Sequence, residues 1–130
     1  MSDTSPTSPE KPDTVRRMIW AEVADDVADV RNRYLQHFRG EVEQFCDAMT
    51  SAYAAWQDLD GKVRDAEPAY VSALIFSAIN LNIASMRLLV GGYQVAAGGV
   101  HRQVLETLAL AILCSSPSLD IRARFIAGKY

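Results

Sequence analysis

The sequence predicts an all-α protein, an up-and-down bundle of four to five helices behind a disordered N-terminal tail, and three observations carry that prediction. From Pro68 to Val90 the chain reads PAYVSALIFSAINLNIASMRLLV, with no charge before Arg87 and apolar side chains on every helical face, so a helix here needs cover on all sides. On both flanks apolar residues recur at spacings of three and four, the period of an amphipathic helix. No alternating run of β-branched residues lies between turn signals, and no segment repeats at a fixed period.

Residues 1–12, MSDTSPTSPEKP, contain three prolines, three serines and two threonines, with no large apolar residue after Met1. Nothing there offsets the entropy of ordering the chain, and a tail is expected. Residues 13–130 then form a single helical domain. Asp13 or Thr14 offers an N-cap oxygen, and Val15, Ile19, Val23, Val27, Val30, Tyr34 and Phe38 follow as the stripe of a first helix. On its other face Glu22, Asp25, Asp26 and Asp29 precede Arg31, Arg33 and Arg39, the order that the helix dipole favours. Gly40 interrupts, but Val42, Phe45, Met49, Ala52, Trp56 and Leu59 resume the stripe in alternating threes and fours. Either one helix of more than forty residues runs through Gly40, or it kinks there, where glycine costs about 1 kcal/mol relative to alanine. Asp60-Gly61 is the stop signal, with Gly61 expected in the left-handed conformation, and residues 62–67 form a charged turn.

Pro68 fits the first turn of the next helix, where its missing N–H is no loss; this helix runs to Val90 and ends at Gly91-Gly92. Another follows from near Tyr93 to about Cys114, in which Gly98 and Gly99 suggest close approach of a neighbouring backbone. Its second half, VLETLALAILC, is apolar almost all round except for Glu106 and Thr107. Ser116-Pro117 or Ser118 caps a short last helix, with Leu119, Phe125 and Ile126 inward and Arg122, Arg124 and Lys129 outward. Asn80 and Asn82 sit inside the apolar helix, where an unpartnered amide costs about 1–3 kcal/mol. Their partners are expected across the bundle or at an interface between chains. Trp20, Tyr53, Trp56 and Tyr70 are spaced as core or interface aromatics.

A net charge of −3 and a pI near 5.3 give no overall attraction to phosphate backbones, leaving nucleic-acid binding to a local arginine cluster. Cys46 and Cys114 lie beside apolar neighbours within helices and are expected as core thiols. No C-x-x-C or Cys/His ligand spacing occurs, so no metal and no cofactor is expected. The polar start carries no apolar signal-peptide segment, which places the protein in the cytoplasm. The uncharged run over residues 69–86 is long enough to span a bilayer. Asn80, Asn82, Ser72, Ser77 and Ser85 oppose insertion, and the flanking amphipathic helices are expected to cover the run, so no membrane partner is expected. Nothing matches a P-loop, a dinucleotide-binding glycine fingerprint, a nucleophile elbow or a zinc-protease helix.

Two stretches carry candidate chemistry. In Arg31-Asn32-Arg33-Tyr34-Leu35-Gln36-His37 an arginine and a histidine stand six apart, about 240° around an ideal helix, so they share a site only through local unwinding or a second subunit. Imidazole titrates near neutrality and can move a proton at a ribose 2′-hydroxyl, while arginine neutralises the phosphate that gains charge. These seven residues resemble the R-x4-6-H signature of HEPN domains, small helical bundles of which many are metal-independent ribonucleases in toxin-antitoxin and phage-defence systems. That resemblance implies catalytic Arg31 and His37 and an RNA substrate, with the site formed across a dimer.

The second stretch is Leu88 to Tyr130, above all HRQVLETLALAILCSSPSLDIRARF. Gly91, Arg102, Glu106, Pro117 and Arg124-Phe125 resemble the core of a group of bacterial helical proteins in which an apolar helix ending in a glycine turn leads to an R-x-x-x-E helix, a proline turn and a short R-x-R-F-like helix. Members of that group continue for further helices, and the resemblance implies no activity. Arg102 and Glu106 are one turn apart, the spacing of an ion pair, and Arg87 and His101 with that pair could form a small anion site. The preferred expectation is a non-enzymatic helical module for interaction and oligomerisation, plausibly from a bacterial stress or phage-defence locus. A homodimer is expected because the apolar helical surface exceeds what 130 residues can cover, with a protein partner beside it. The competing expectation is the dimeric HEPN-like ribonuclease.

Overall fold

The computed structural model describes residues 12–24, 27–116, 120, 123–124 and 127–128. Among these residues all regular structure is helical: α1 (Pro12–Ala24), α2 (Ala28–His37), α3 (Arg39–Asp60), α4 (Ala66–Val90) and α5 (Gln94–Cys114). The all-α expectation holds. The expected tail lies outside the described residues, and so does most of the expected last helix, where the Arg124 N–H to Asp120 and Ala127 N–H to Ala123 bonds have helical spacing.

The first stripe is divided in a way its periodicity does not reveal. α1 ends at Ala24 and α2 begins at Ala28, with residues 25 and 26 outside the described residues. The second break falls at Phe38 and not at Gly40, which lies inside α3 with open space around it. Phe38 has φ −112° and ψ 33°, yet its N–H still reaches the Tyr34 carbonyl at 2.8 Å and its own carbonyl accepts from Val42 at 3.0 Å. Its ring lies beside Tyr34 (5.3 Å between centroids) and His37 (4.9 Å), and the break falls at a residue with a large, exposed side chain.

α3, α4 and α5 run antiparallel in sequence. Met49 on α3 meets Asn82 on α4, and Trp56 meets Ser72; along the next pair Ser85 meets Ala97, so one index rises as the other falls. The α3–α4 contact follows the predicted stripe, with Val42, Phe45, Met49, Ala52 and Trp56 all half-buried. Trp56 packs on Phe76 at 4.5 Å and on Tyr53 at 5.2 Å. Its indole N–H donates to the Ser72 hydroxyl (2.9 Å) and carbonyl (3.1 Å), and that hydroxyl donates to Asp60 (2.7 Å). Ser72 is 1% exposed. Gly61 closes α3 in the right-handed region, φ −60° and ψ −21°, so the expected left-handed cap is replaced by tightened bonds from the Gly61 and Lys62 N–H groups to Gln57 and Leu59.

The densest packing is between α4 and α5. On α5, Ala97, Val104 and Ala111 are buried, and Val100, Thr107 and Cys114 between them are half-buried, a three-four alternation that keeps one seam against α4. Ala78, Ile79, Ser85 and Val90 supply the buried side of α4. The Ser85 hydroxyl donates to the backbone carbonyl of Ala97 at 2.9 Å, a contact available to so short a side chain only where the two backbones lie close. The close approach therefore occurs at Ala97 and Ser85. Gly98 and Gly99, expected there, face open space. The turn joining the helices rests on Gly92, whose φ of +86° suits glycine, and α2 covers it, with Val30 beside Gly92 and Gln94 donating to the Tyr34 hydroxyl at 3.1 Å.

Three further expectations are corrected. Cys46 is exposed and only Cys114 is half-buried, because the α3 stripe at 45 and 49 places residue 46 to one side. Asn80 is on the outer face and its amide donates to the Phe76 carbonyl at 2.9 Å, leaving Asn82 as the cross-helix residue, 3.6 Å from the Met49 sulfur. α4 is not covered on all sides: Phe76, Ile83 and Leu89 are exposed, as is Trp20 on α1.

Candidate functional site

Arg31 and His37 occupy different faces of α2. Val27, Ala28, Arg31 and Tyr34 form its half-buried side, the side that meets the α4–α5 turn through Tyr34 and Val30. His37 is exposed, with its ring edge-on to Phe38 at 84°. The concavity beside them, about 530 Å³, is lined by Asn32, Leu35, Gln36, Arg39, Val42 and Glu43, and neither Arg31 nor His37 contributes to it. Arg39 there is paired with Glu43 at 2.8 Å, and this hydrogen bond and opposite charge raise the guanidinium pKa above its ordinary value. One chain does not bring the arginine and histidine of the R-x-x-x-x-x-H stretch to a common point.

The residues of the second candidate are also dispersed. Arg102 is bound to Glu106 at 2.8 Å, both exposed, the surface ion pair that their spacing allows. His101 lines a groove of about 490 Å³ together with Phe45, Asn82, Ser85, Met86, Leu89, Gln94, Ala97 and Gly98. Arg87, two positions from both Ser85 and Leu89, projects about 160° away from them around α4 and is exposed. Arg87, His101 and Arg102 do not converge on one point. At the far end of the α4–α5 pair, burial and the neighbouring Cys114 raise the Tyr70 hydroxyl above its ordinary pKa. Among the described residues no group of three His, Cys, Asp or Glu side chains converges as metal ligands.

What the fold does assemble is apolar surface. α5 packs on α4 through one seam, and on the opposite side Val95 is 92%, Leu105 57% and Ile112 70% exposed. Burying an aliphatic side chain of this size is worth about 1.5–3 kcal/mol, so three of them aligned on one face are a strong drive to association. α4 adds the exposed Ile83 and the part-exposed edge of Phe76 beside Trp56, and α1 adds Met18, Ile19, Trp20 and Val23. Pro68–Val90 is the one helix among the described residues long and apolar enough to cross a membrane, and 17% of its most apolar window is buried. Sequence reading missed the outer α5 face because VLETLALAILC is apolar nearly all round, and only the buried heptad positions Ala97, Val104 and Ala111 fix which side turns inward.

No protein-family model matches the chain, nor does any curated protein or solved structure.

Proposed function

We propose that this chain is a non-enzymatic helical module that works by association, with a second copy of itself and with a protein partner, in the cytoplasm. The observation that supports this reading is the row of exposed aliphatic side chains on the side of α5 turned away from α4, with Val95 at 92% exposure. Contiguous apolar surface of this kind marks interaction sites in soluble proteins. A bilayer is a poorer occupant: α5 runs beside α4 along its length, and a membrane around α4 would enclose the exposed Arg102, Glu106 and His101, each expensive to place in hydrocarbon. A setting in a bacterial stress or defence locus rests on resemblance only.

The ribonuclease reading has no comparable support, because Arg31 faces the bundle and His37 faces solvent. The test that separates the two is incubation of the purified protein with structured and unstructured RNA in EDTA, beside His37→Ala and Arg31→Ala forms that fold alike. The association reading expects negligible cleavage by all three. Cleavage by the wild type that both substitutions abolish would overturn it and place an active site between chains.

A further inference from the structure

We propose that the outer face of α5 pairs antiparallel with the same face of a second copy, about a two-fold axis that passes between the two helices at the level between Gln103 and Val104. This rests on the association reading above and specifies the surface and its geometry. Val95, Gly98, Arg102, Leu105, Ala109 and Ile112 lie within an arc of about 100° on the side away from Ala97, Val104 and Ala111, and all six are exposed. Their spacing, three-four-three-four-three, reads the same from either end. A two-fold axis at the midpoint therefore sets Val95 opposite Ile112, Gly98 opposite Ala109 and Arg102 opposite Leu105, with large aliphatics at the ends and small residues inside them.

Charge selects a second copy over an unrelated apolar helix. Arg102 on the face and Glu106 at its edge form one cation and one anion, one turn apart and astride the midpoint. Reversal brings Arg102 to within about 1.5 Å, one residue's rise, of the level of Glu106 in the second copy, and the symmetry repeats that pair. Each guanidinium then lies between two carboxylates, its own and its neighbour's. Antiparallel helices also set opposite dipole ends side by side. Gly98, which faces open space in one chain, leaves room for the second backbone.

The test uses Arg102→Glu, which leaves the face with two anions, and Glu106→Arg, which leaves it with two cations. Both positions are exposed, and circular dichroism checks that the helices are retained. Sedimentation equilibrium of each variant alone should give a dimer Kd raised by roughly tenfold or more over wild type, as two attractive contacts become repulsive. An equimolar mixture should recover the wild-type Kd, because acidic and basic faces complement each other while the like charges within each helix remain. Gly98→Leu, which fills the space opposite Ala109, should weaken the dimer without any change of charge. A wild type that dimerises while all three variants dimerise equally well overturns this geometry and leaves the association reading standing. A wild type that stays monomeric removes both, and flotation with phosphatidylglycerol vesicles that carries the protein through Leu105 and Ile112 overturns the second copy in favour of a bilayer.

Discussion

At Ser72 a single hydroxyl accepts the Trp56 indole N–H and donates to the Asp60 carboxylate, joining the end of α3 to the start of α4. Removing it leaves a charged acceptor without its donor and a half-buried indole with only the backbone carbonyl. Ser72→Ala is expected to lower the unfolding free energy by about 1 kcal/mol, read from urea denaturation, and an unchanged midpoint would show the network to be energetically idle. Gly92 acts through its backbone: alanine there would hold an unfavourable φ of +86° and set its Cβ 3.1 Å from Val30. Gly92→Ala is expected to cost about 1–2 kcal/mol, whereas Gly99→Ala, in a helix with nothing near the added methyl, is expected to stabilise by about 0.5–1 kcal/mol. Sequence distinguished these glycines by position in a helix or at its end, which located Gly92, but it could not tell a packed glycine from one facing water. The Ser72 network was illegible for a similar reason: serine in an apolar helix carries no signal of the tryptophan sixteen residues upstream.

The α3 stripe was readable because polar residues fill the rest of that helix and fix its phase. α4 and α5 were readable as helices but not as faces, since nearly every position is apolar and the period has no contrast. Their seam is defined by size, with Ala78, Ser85, Ala97 and Ala111 letting the backbones approach. Ala97→Leu places a large side chain where Ser85 reaches the backbone and is expected to destabilise by about 1–3 kcal/mol through overpacking, measured by thermal unfolding; tolerance of leucine at 97 would contradict a close seam. The kink at Phe38 shows the opposite limit. Glycine marks where a helix can bend, but this one breaks at Phe38, whose φ of −112° leaves the helical region while Gly40 stays inside α3.

For the whole molecule the deciding quantity is how little of the apolar helix pair the rest of the chain covers. The described residues bury a narrow line of mostly small side chains between α4 and α5, while α2 meets only the α4–α5 turn and leaves the outer faces of both helices open. That surplus was foreseeable from composition and helix count, but which face is left over depends on the seam, and so the candidate surface became visible only with the fold. The R-x-x-x-x-x-H stretch, by contrast, was fully legible as a motif and is divided between two faces of α2 by helical geometry. The most direct test of the association claim is sedimentation equilibrium of the wild type and of Leu105→Glu/Ile112→Glu over a wide concentration range. Concentration-dependent association of the wild type, with the doubly charged variant remaining at the 14.3 kDa of one chain, is the expected result; a wild type that holds 14.3 kDa at every concentration would contradict it.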